Sequence, residues 1–226
     1  MNDPNRPEDV GHLLDRDANI EISAHARPHW TQSGTITFIT LRLIDSIPKE
    51  VITRWDRMRC QFIAGVLEDP TEDWRADRDR LADADRGAFD KQFQRLREDT
   101  LDSCLGQCPL RDPIAAQIVL DALKFFDGDR YLLGDTIVMP NHVHCLVVFR
   151  QADVMRKQCT SWMRYTARRI NDHLGRQGHL WQPEPFDHLV RSEKQLEYLR
   201  DYIEDNPVKA NLSEGEFLYH RSNRAF

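Results

Sequence analysis

The apolar positions of this chain change their period several times, and each change marks an element. Residues 1–28 are polar, with scattered prolines and no sustained period, and read as a flexible arm. GTITFITLRLI (34–44) is rich in β-branched and aromatic residues with partial alternation, the pattern of a strand. Behind Ser46 and Pro48, the residues Val51, Ile52, Trp55, Met58, Phe62 and Ile63 recur at helical spacing. The stretch 68–105 carries only a sparse apolar stripe among many charges and is expected to be a solvated helical insertion, outside the main core. Asp112 and Pro113 supply a cap and a first-turn proline for a helix through IAAQIVLDALKFF, which Gly128 ends.

Two apolar runs follow, RYLLGDTIVM and HVHCLVVF, separated by Pro140 and Asn141, and they predict a tight hairpin at the centre of a sheet. Residues 153–174 set Val154, Met155, Trp162, Tyr165, Ala167, Ile170 and Leu174 opposite a row of arginines, which predicts an amphipathic helix ending near Gly175. FDHLV (186–190) is a short extended segment. Ser192, with Gln195 at the reciprocating position, caps a helix from about Glu193 to Asp205 that Pro207 should end. The order is strand, helix, insertion, helix, strand, strand, helix, strand, helix. A small antiparallel sheet with helices mostly on one face satisfies it, an α+β domain of ferredoxin-like type over residues 29–212 with a tail at 213–226.

Composition sharpens this without redirecting it. With 40% hydrophobic, 30% charged and 9% aromatic residues, the chain is excluded from the collagenous, low-complexity and wholly disordered classes. Its longest apolar run, CLVVF at 145–149, falls far short of the ~20 residues that span a bilayer. The polar opening MNDPNRPEDVGHLLDRD has no signal-peptide core, so a soluble, cytoplasmic protein with no membrane partner is expected. Five scattered cysteines argue against a disulfide framework and for reduced thiols; Cys104 and Cys108 would be half a metal site, but no second pair follows. The net charge of −6 conceals an uneven distribution. Residues 68–102 hold twelve acids against seven bases, whereas residues 150–176 hold seven bases against two acids. The second stretch, with Arg156, Lys157, Arg164, Arg168 and Arg169, is the candidate nucleic-acid contact.

Two patterns could carry chemistry. His142 and His144 are one residue apart on a predicted strand, so both imidazoles face the same side, either as a partial metal site or as core histidines. Tyr198, Tyr202 and Asn206 stand four apart on the last helix and share a face. A tyrosine hydroxyl can act as a nucleophile and an amide oxygen can ligate a hard cation, though the same spacing also serves packing and a C-terminal cap.

Taken together these segments resemble a known family. VMPNHVHCLVVF resembles the metal-binding strand of the HUH single-tyrosine transposases, and YIEDNPVKANL their tyrosine helix. SWMRYTARRIN, GHLWQPEPFDHLVRSEKQLEYLRDY and GTITFITLRLIDSIPKEVI are similar to segments of the REP-associated tyrosine transposases, so the resemblance covers about residues 30–212. It implies an HUH fold of ferredoxin-like type that nicks single-stranded, hairpin-associated DNA. It further implies Tyr202 as nucleophile, His142, His144 and Asn206 as ligands of Mg²⁺ or Mn²⁺, and a 5′-phosphotyrosine intermediate. The DNA partner would be single-stranded or hairpin DNA, with monomer or homodimer left open. A domesticated, non-cleaving hairpin-binding protein is the alternative. The chain departs from the family pattern at Met163, where a lysine is usual, and at Asn211, where a glycine is usual.

Overall fold

The computed structural model describes residues 11–18, 20–24, 28–224 and 226. Along the chain run β1 (Glu21–Ala24), β2 (Pro28–Thr31), β3 (Ile36–Arg42), α1 (Lys49–Ala64), α2 (Trp74–Arg80), α3 (Asp83–Asp102), α4 (Pro113–Lys124), β4 (Tyr131–Val138), β5 (His142–Phe149), α5 (Val154–Leu174), β6 (Phe186–Leu189), α6 (Glu193–Lys209) and β7 (Leu218–His220). They divide into two compact units, one of Met1–Ile44 with Cys108–Phe226 and one of Asp45–Gln107.

In the larger unit the strands lie in the order β6-β3-β5-β4-β7, every neighbouring pair antiparallel. The crossovers through α4 (β3 to β4) and α5 (β5 to β6) each skip one strand, which is the split βαβ arrangement of a ferredoxin-like domain. Both helices cover one face. Ala115, Val119 and Leu123 of α4 and Cys159, Trp162 and Ile170 of α5 share a core with Ile39, Leu41, Val143, Cys145, Val147 and Phe149. Because strand side chains alternate, the intervening β5 residues His142, His144, Leu146 and Val148 face the other side, where α6 lies. β5 is buried along its whole length, which explains its nearly continuous apolar run. Tyr165, counted with the apolar stripe of α5, stays 47% exposed.

Three segments differ from the sequence-based expectation. Within the stretch expected to be a flexible arm, Glu21–Ala24 pairs antiparallel with Pro28–Thr31, His12 bridges to Thr35, and the Leu14 N–H donates to the Val190 carbonyl; residues 1–10 lie outside the described residues. Strands this short give alternation too few positions to register. Within the expected tail, Leu218–His220 adds an edge strand to β4, with Thr136 opposite His220. Helix α6 runs past Pro207 to Lys209. A proline near a helix end forfeits only its own N–H bond, and the Ala210 and Leu212 N–H groups close the turn on the Asn206 and Pro207 carbonyls. Asn211 then takes φ 53°, the left-handed conformation that asparagine tolerates and glycine adopts freely, which accounts for the exchange of those two types at this position.

The smaller unit corrects the picture of a solvated insertion. Ile63, Leu81, Phe89 and Phe93 form a core of their own, and Ile47, Trp55 and Leu101 form a second cluster. Arg59, 6% exposed, lies over Trp74 (4.5 Å) and Phe93 (5.0 Å) while pairing with Asp56 at 2.8 Å. A long guanidinium side chain thereby fills apolar space that the sparse stripe leaves open. Among the described residues no helix is long and apolar enough to cross a membrane, and all five cysteines are free thiols, Cys145 and Cys159 buried.

Candidate active site

The hairpin before β5 sets the first half of the site. The Met139 N–H donates to the His142 carbonyl (2.9 Å), and the Leu43 N–H donates to the Asn141 carbonyl (3.0 Å), which holds Asn141 fully buried at the sheet end. Its side-chain Oδ1 lies 2.7 Å from His142 Nδ1. An amide oxygen only accepts, so Nδ1 carries the proton and Nε2 keeps its lone pair. His144 Nδ1 meets Thr40 Oγ1 at 2.9 Å across the strand pair, and Phe38 stacks on the ring at 5.1 Å. The two imidazole centroids are 4.5 Å apart, and among the described residues neither buried Nε2 has a hydrogen-bond partner.

Helix α6 brings the second half. Its Ser192 cap accepts from the Gln195 N–H (3.2 Å), as the sequence predicts, and the Gln195 side chain accepts in turn from the Arg191 N–H. Tyr202 lies edge-on to His144 at 5.2 Å and to Phe38 at 6.2 Å, and Asn206, one turn on, is fully buried. The two tyrosines part company here. Tyr198 stacks on Tyr202 from outside at 6.3 Å and is 58% exposed, whereas Tyr202 is 6% exposed and its hydroxyl is buried. Lys209 Nζ lies 4.8 Å from the Tyr202 ring centroid. In this closed state a substrate reaches the hydroxyl only if the ring or the end of α6 moves.

Electrostatics make the histidines Lewis bases. Burial pushes His142 down to about 3; the Asn206 side chain opposes this as an acceptor that favours the protonated form, and the Arg42 charge adds to it. Burial likewise holds His144 well below the ordinary value, with the positive charge that His142, Arg42 and His188 can carry acting the same way. His188, on β6 beside Phe38 at 5.3 Å, is pushed to about 4 by burial and by Arg191. All three are neutral at physiological pH. Among the described residues no group of three or more His, Cys, Asp or Glu is placed to hold a metal. The donors there are instead two neutral imidazoles, their Nε2 atoms buried without a hydrogen-bond partner among the described residues, and the Asn206 amide. That set fits a divalent ion of intermediate hardness with open positions for a substrate.

The structure thus brings His142, His144, Tyr202 and Asn206 together. It does not bring Arg156, Lys157, Arg164, Arg168 and Arg169 to them. These five lie on α5, whose buried side packs on the opposite face of the sheet, and Lys157 pairs with Asp153 at 2.9 Å. Sequence reasoning passes over Phe38, Thr40, Arg42, Asn141, His188 and Lys209. A signal exists for Arg42, the one charge in an otherwise largely apolar strand. Asn141 reads only as a turn residue, because nothing local shows that its amide meets the next side chain.

The architecture is that of a ferredoxin-like domain presenting two histidines of its central strand against a tyrosine and an asparagine of its last long helix. Residues 128–206, which span β4 to Asn206 and contain all four, match the family described as transposase, IS200 like. Among solved structures, the chain is similar to a REP-associated tyrosine transposase bound to a REP hairpin, at 16% identity over 85% of this chain and 77% of that one, with a TM-score of 0.40. No curated protein matches the chain.

Proposed function

We propose that this protein is a metal-dependent single-strand DNA endonuclease and strand transferase of the transposase type, cutting hairpin-associated DNA through Tyr202. The observation that carries the reading is the convergence of Tyr202 and Asn206 from α6 on the two buried Nε2 atoms of β5, within the IS200-like segment. His142, His144 and Asn206 would hold a Mg²⁺ or Mn²⁺ ion, which when bound draws charge from a phosphodiester oxygen. A phenol with an ordinary pKa of ~10 is protonated at neutral pH and is a weak nucleophile unaided. The Tyr202 oxygen forms a bond to phosphorus, the bond from phosphorus to the 3′ oxygen breaks, and the phenolic proton ends on that oxygen. The products are a 5′-phosphotyrosine and a free 3′-hydroxyl, and attack by a second 3′-hydroxyl reverses the step on a new strand. Asn141 and Thr40 orient the imidazoles through Nδ1.

The test is a labelled hairpin oligonucleotide with single-stranded flanks, incubated with Mg²⁺ or Mn²⁺ and resolved under denaturing conditions. Wild-type protein forms a covalent protein–DNA band and Tyr198→Phe retains it. Tyr202→Phe loses it while still binding the hairpin, and His142→Ala and His144→Ala lose metal-dependent nicking. A band that survives in Tyr202→Phe and vanishes in Tyr198→Phe assigns the wrong tyrosine. Hairpin binding by wild type without any adduct, in either metal, would overturn the enzyme in favour of a non-cleaving hairpin-binding protein.

A further inference from the structure

The His–Tyr cluster holds two cations whose roles the mechanism above does not use. Arg42 ends β3 directly opposite His142 in the antiparallel register, so its side chain shares the face of Thr40, His142 and His144. It is 5% exposed, and its charge bears on both imidazoles. Lys209, exposed at the end of α6, lies over the outer side of the buried Tyr202 ring. A buried guanidinium beside neutral imidazoles, with a second cation above, is a positively polarised pocket, and any ion the imidazoles hold makes it more so.

We infer that Arg42 from the sheet side and Lys209 from the solvent side form the seat for the scissile phosphodiester, a role that rests on the proposed function. A phosphodiester carries one negative charge shared by two non-bridging oxygens, and the planar fork of a guanidinium matches that pair in two parallel hydrogen bonds. When the Tyr202 oxygen bonds to phosphorus and the 3′ oxygen departs, negative charge grows on the non-bridging and leaving oxygens. Arg42 lies inside the low-dielectric cluster, where a donor already fixed in place costs little reorganisation. Lys209 is screened by water and contributes less. The fork also explains why arginine suits this position: a lysine would offer a point charge without the paired geometry.

The experiment measures both adduct formation and binding. Hairpin oligonucleotides carry either a phosphodiester or an uncharged methylphosphonate at the scissile position, and wild type, Arg42→Gln, Arg42→Ala and Lys209→Gln are compared. Arg42→Gln slows adduct formation about 10²–10³-fold while hairpin affinity changes far less. Lys209→Gln slows it about tenfold. Added guanidinium ion restores part of the rate to Arg42→Ala, which a purely structural loss would not allow. Methylphosphonate weakens wild-type binding more than it weakens Arg42→Gln binding. Adduct rates within about twofold of wild type in both Arg42→Gln and Lys209→Gln, or an equal methylphosphonate penalty in wild type and Arg42→Gln, would overturn the seat. If Arg42→Gln does not fold, the exposed Lys209→Gln decides. If wild type forms no adduct, the enzymatic reading fails, and the methylphosphonate comparison still decides whether this pocket takes a phosphodiester.

Discussion

Replacing Asn141 by alanine tests the cluster at the residue that sets its protonation. The Nδ1–H of His142 donates to Asn141 Oδ1 at 2.7 Å, and both side chains are fully buried, so water cannot take over the lost bond. Orphaning a buried donor costs about 1–3 kcal/mol. Much of that cost is avoided if the imidazole moves its proton to Nε2, but the tautomer so formed turns its lone pair away from Asn206. Both outcomes harm ion binding, and loss of such an outer partner typically lowers metal affinity about 10–100-fold. Mn²⁺ titration followed by electron paramagnetic resonance reads this without any DNA. Amide exchange of β5 reads the stability cost separately, and at about 2–4 °C per kcal/mol the melting temperature falls by several degrees. Asn141→Asp is the informative partner, since its carboxylate accepts the same hydrogen bond more strongly and Mn²⁺ affinity should hold or rise. Mn²⁺ affinity in Asn141→Ala within about threefold of wild type would refute the tautomer argument. Equal losses in the alanine and aspartate variants would instead trace the effect to the Pro140–Asn141 turn.

Two further outcomes concern other parts of the fold. The Ala115 backbone N–H, together with His173, holds the Asp112 carboxyl below its usual range at the start of α4; because the folded value is depressed, its stabilisation is present above the unfolded pKa of about 4 and is lost as pH falls through the folded value. Asp112→Ala therefore costs about 1 kcal/mol at neutral pH in chemical denaturation, and the difference from wild type closes at acid pH; a pH-independent difference would sink the assignment. On α5, the pair Arg164 and Arg168 touches phosphates if the basic helix binds DNA, so the double alanine variant flattens the log–log salt dependence of single-strand binding by roughly 0.7 for each phosphate no longer neutralised. An unchanged slope in filter binding across a salt series would mean that this face only solvates the helix.

How far the sequence could be read followed from how each residue reports its neighbours. The β4–β5 hairpin, α4, α5 and the cap of α6 were legible because their signals are local: period, a cap residue, a breaking turn. His142 and His144 were legible as a pair because a two-residue spacing on a strand forces a common face. Tyr202 was separable from Tyr198 only by resemblance, since four-residue spacing puts both on one helix face; the structure distinguishes them by depth. Arg42, Thr40 and His188 were not legible as site residues. Their membership depends on strand register between segments far apart in the chain, and no local pattern records which residue of β3 ends up opposite which residue of β5 or β6. The core of the smaller unit was missed for a related reason: its interior is filled partly by Arg59, which hydropathy counts as surface.

The alternation that makes His-x-His a site also dictates what the basic helix can do. With His142 and His144 on one face of β5, Val143, Cys145 and Val147 must fall on the other, and these residues seat α5. Any DNA held by the α5 cations is therefore separated from Tyr202 by the sheet, and β5 has two strands on either side of it. At about 4.8 Å per strand, plus roughly 10 Å for the helix layer, a strand must pass around a sheet edge over a path on the order of 20 Å or more to touch both. Cations on α5 can then add affinity and orientation but cannot stabilise charge at the reacting phosphorus. Binding and chemistry should separate on mutation: charge removal on α5 weakens DNA affinity and leaves the single-turnover rate at saturation unchanged, whereas substitutions at Arg42, His142 or His144 lower that rate even when the DNA is fully bound.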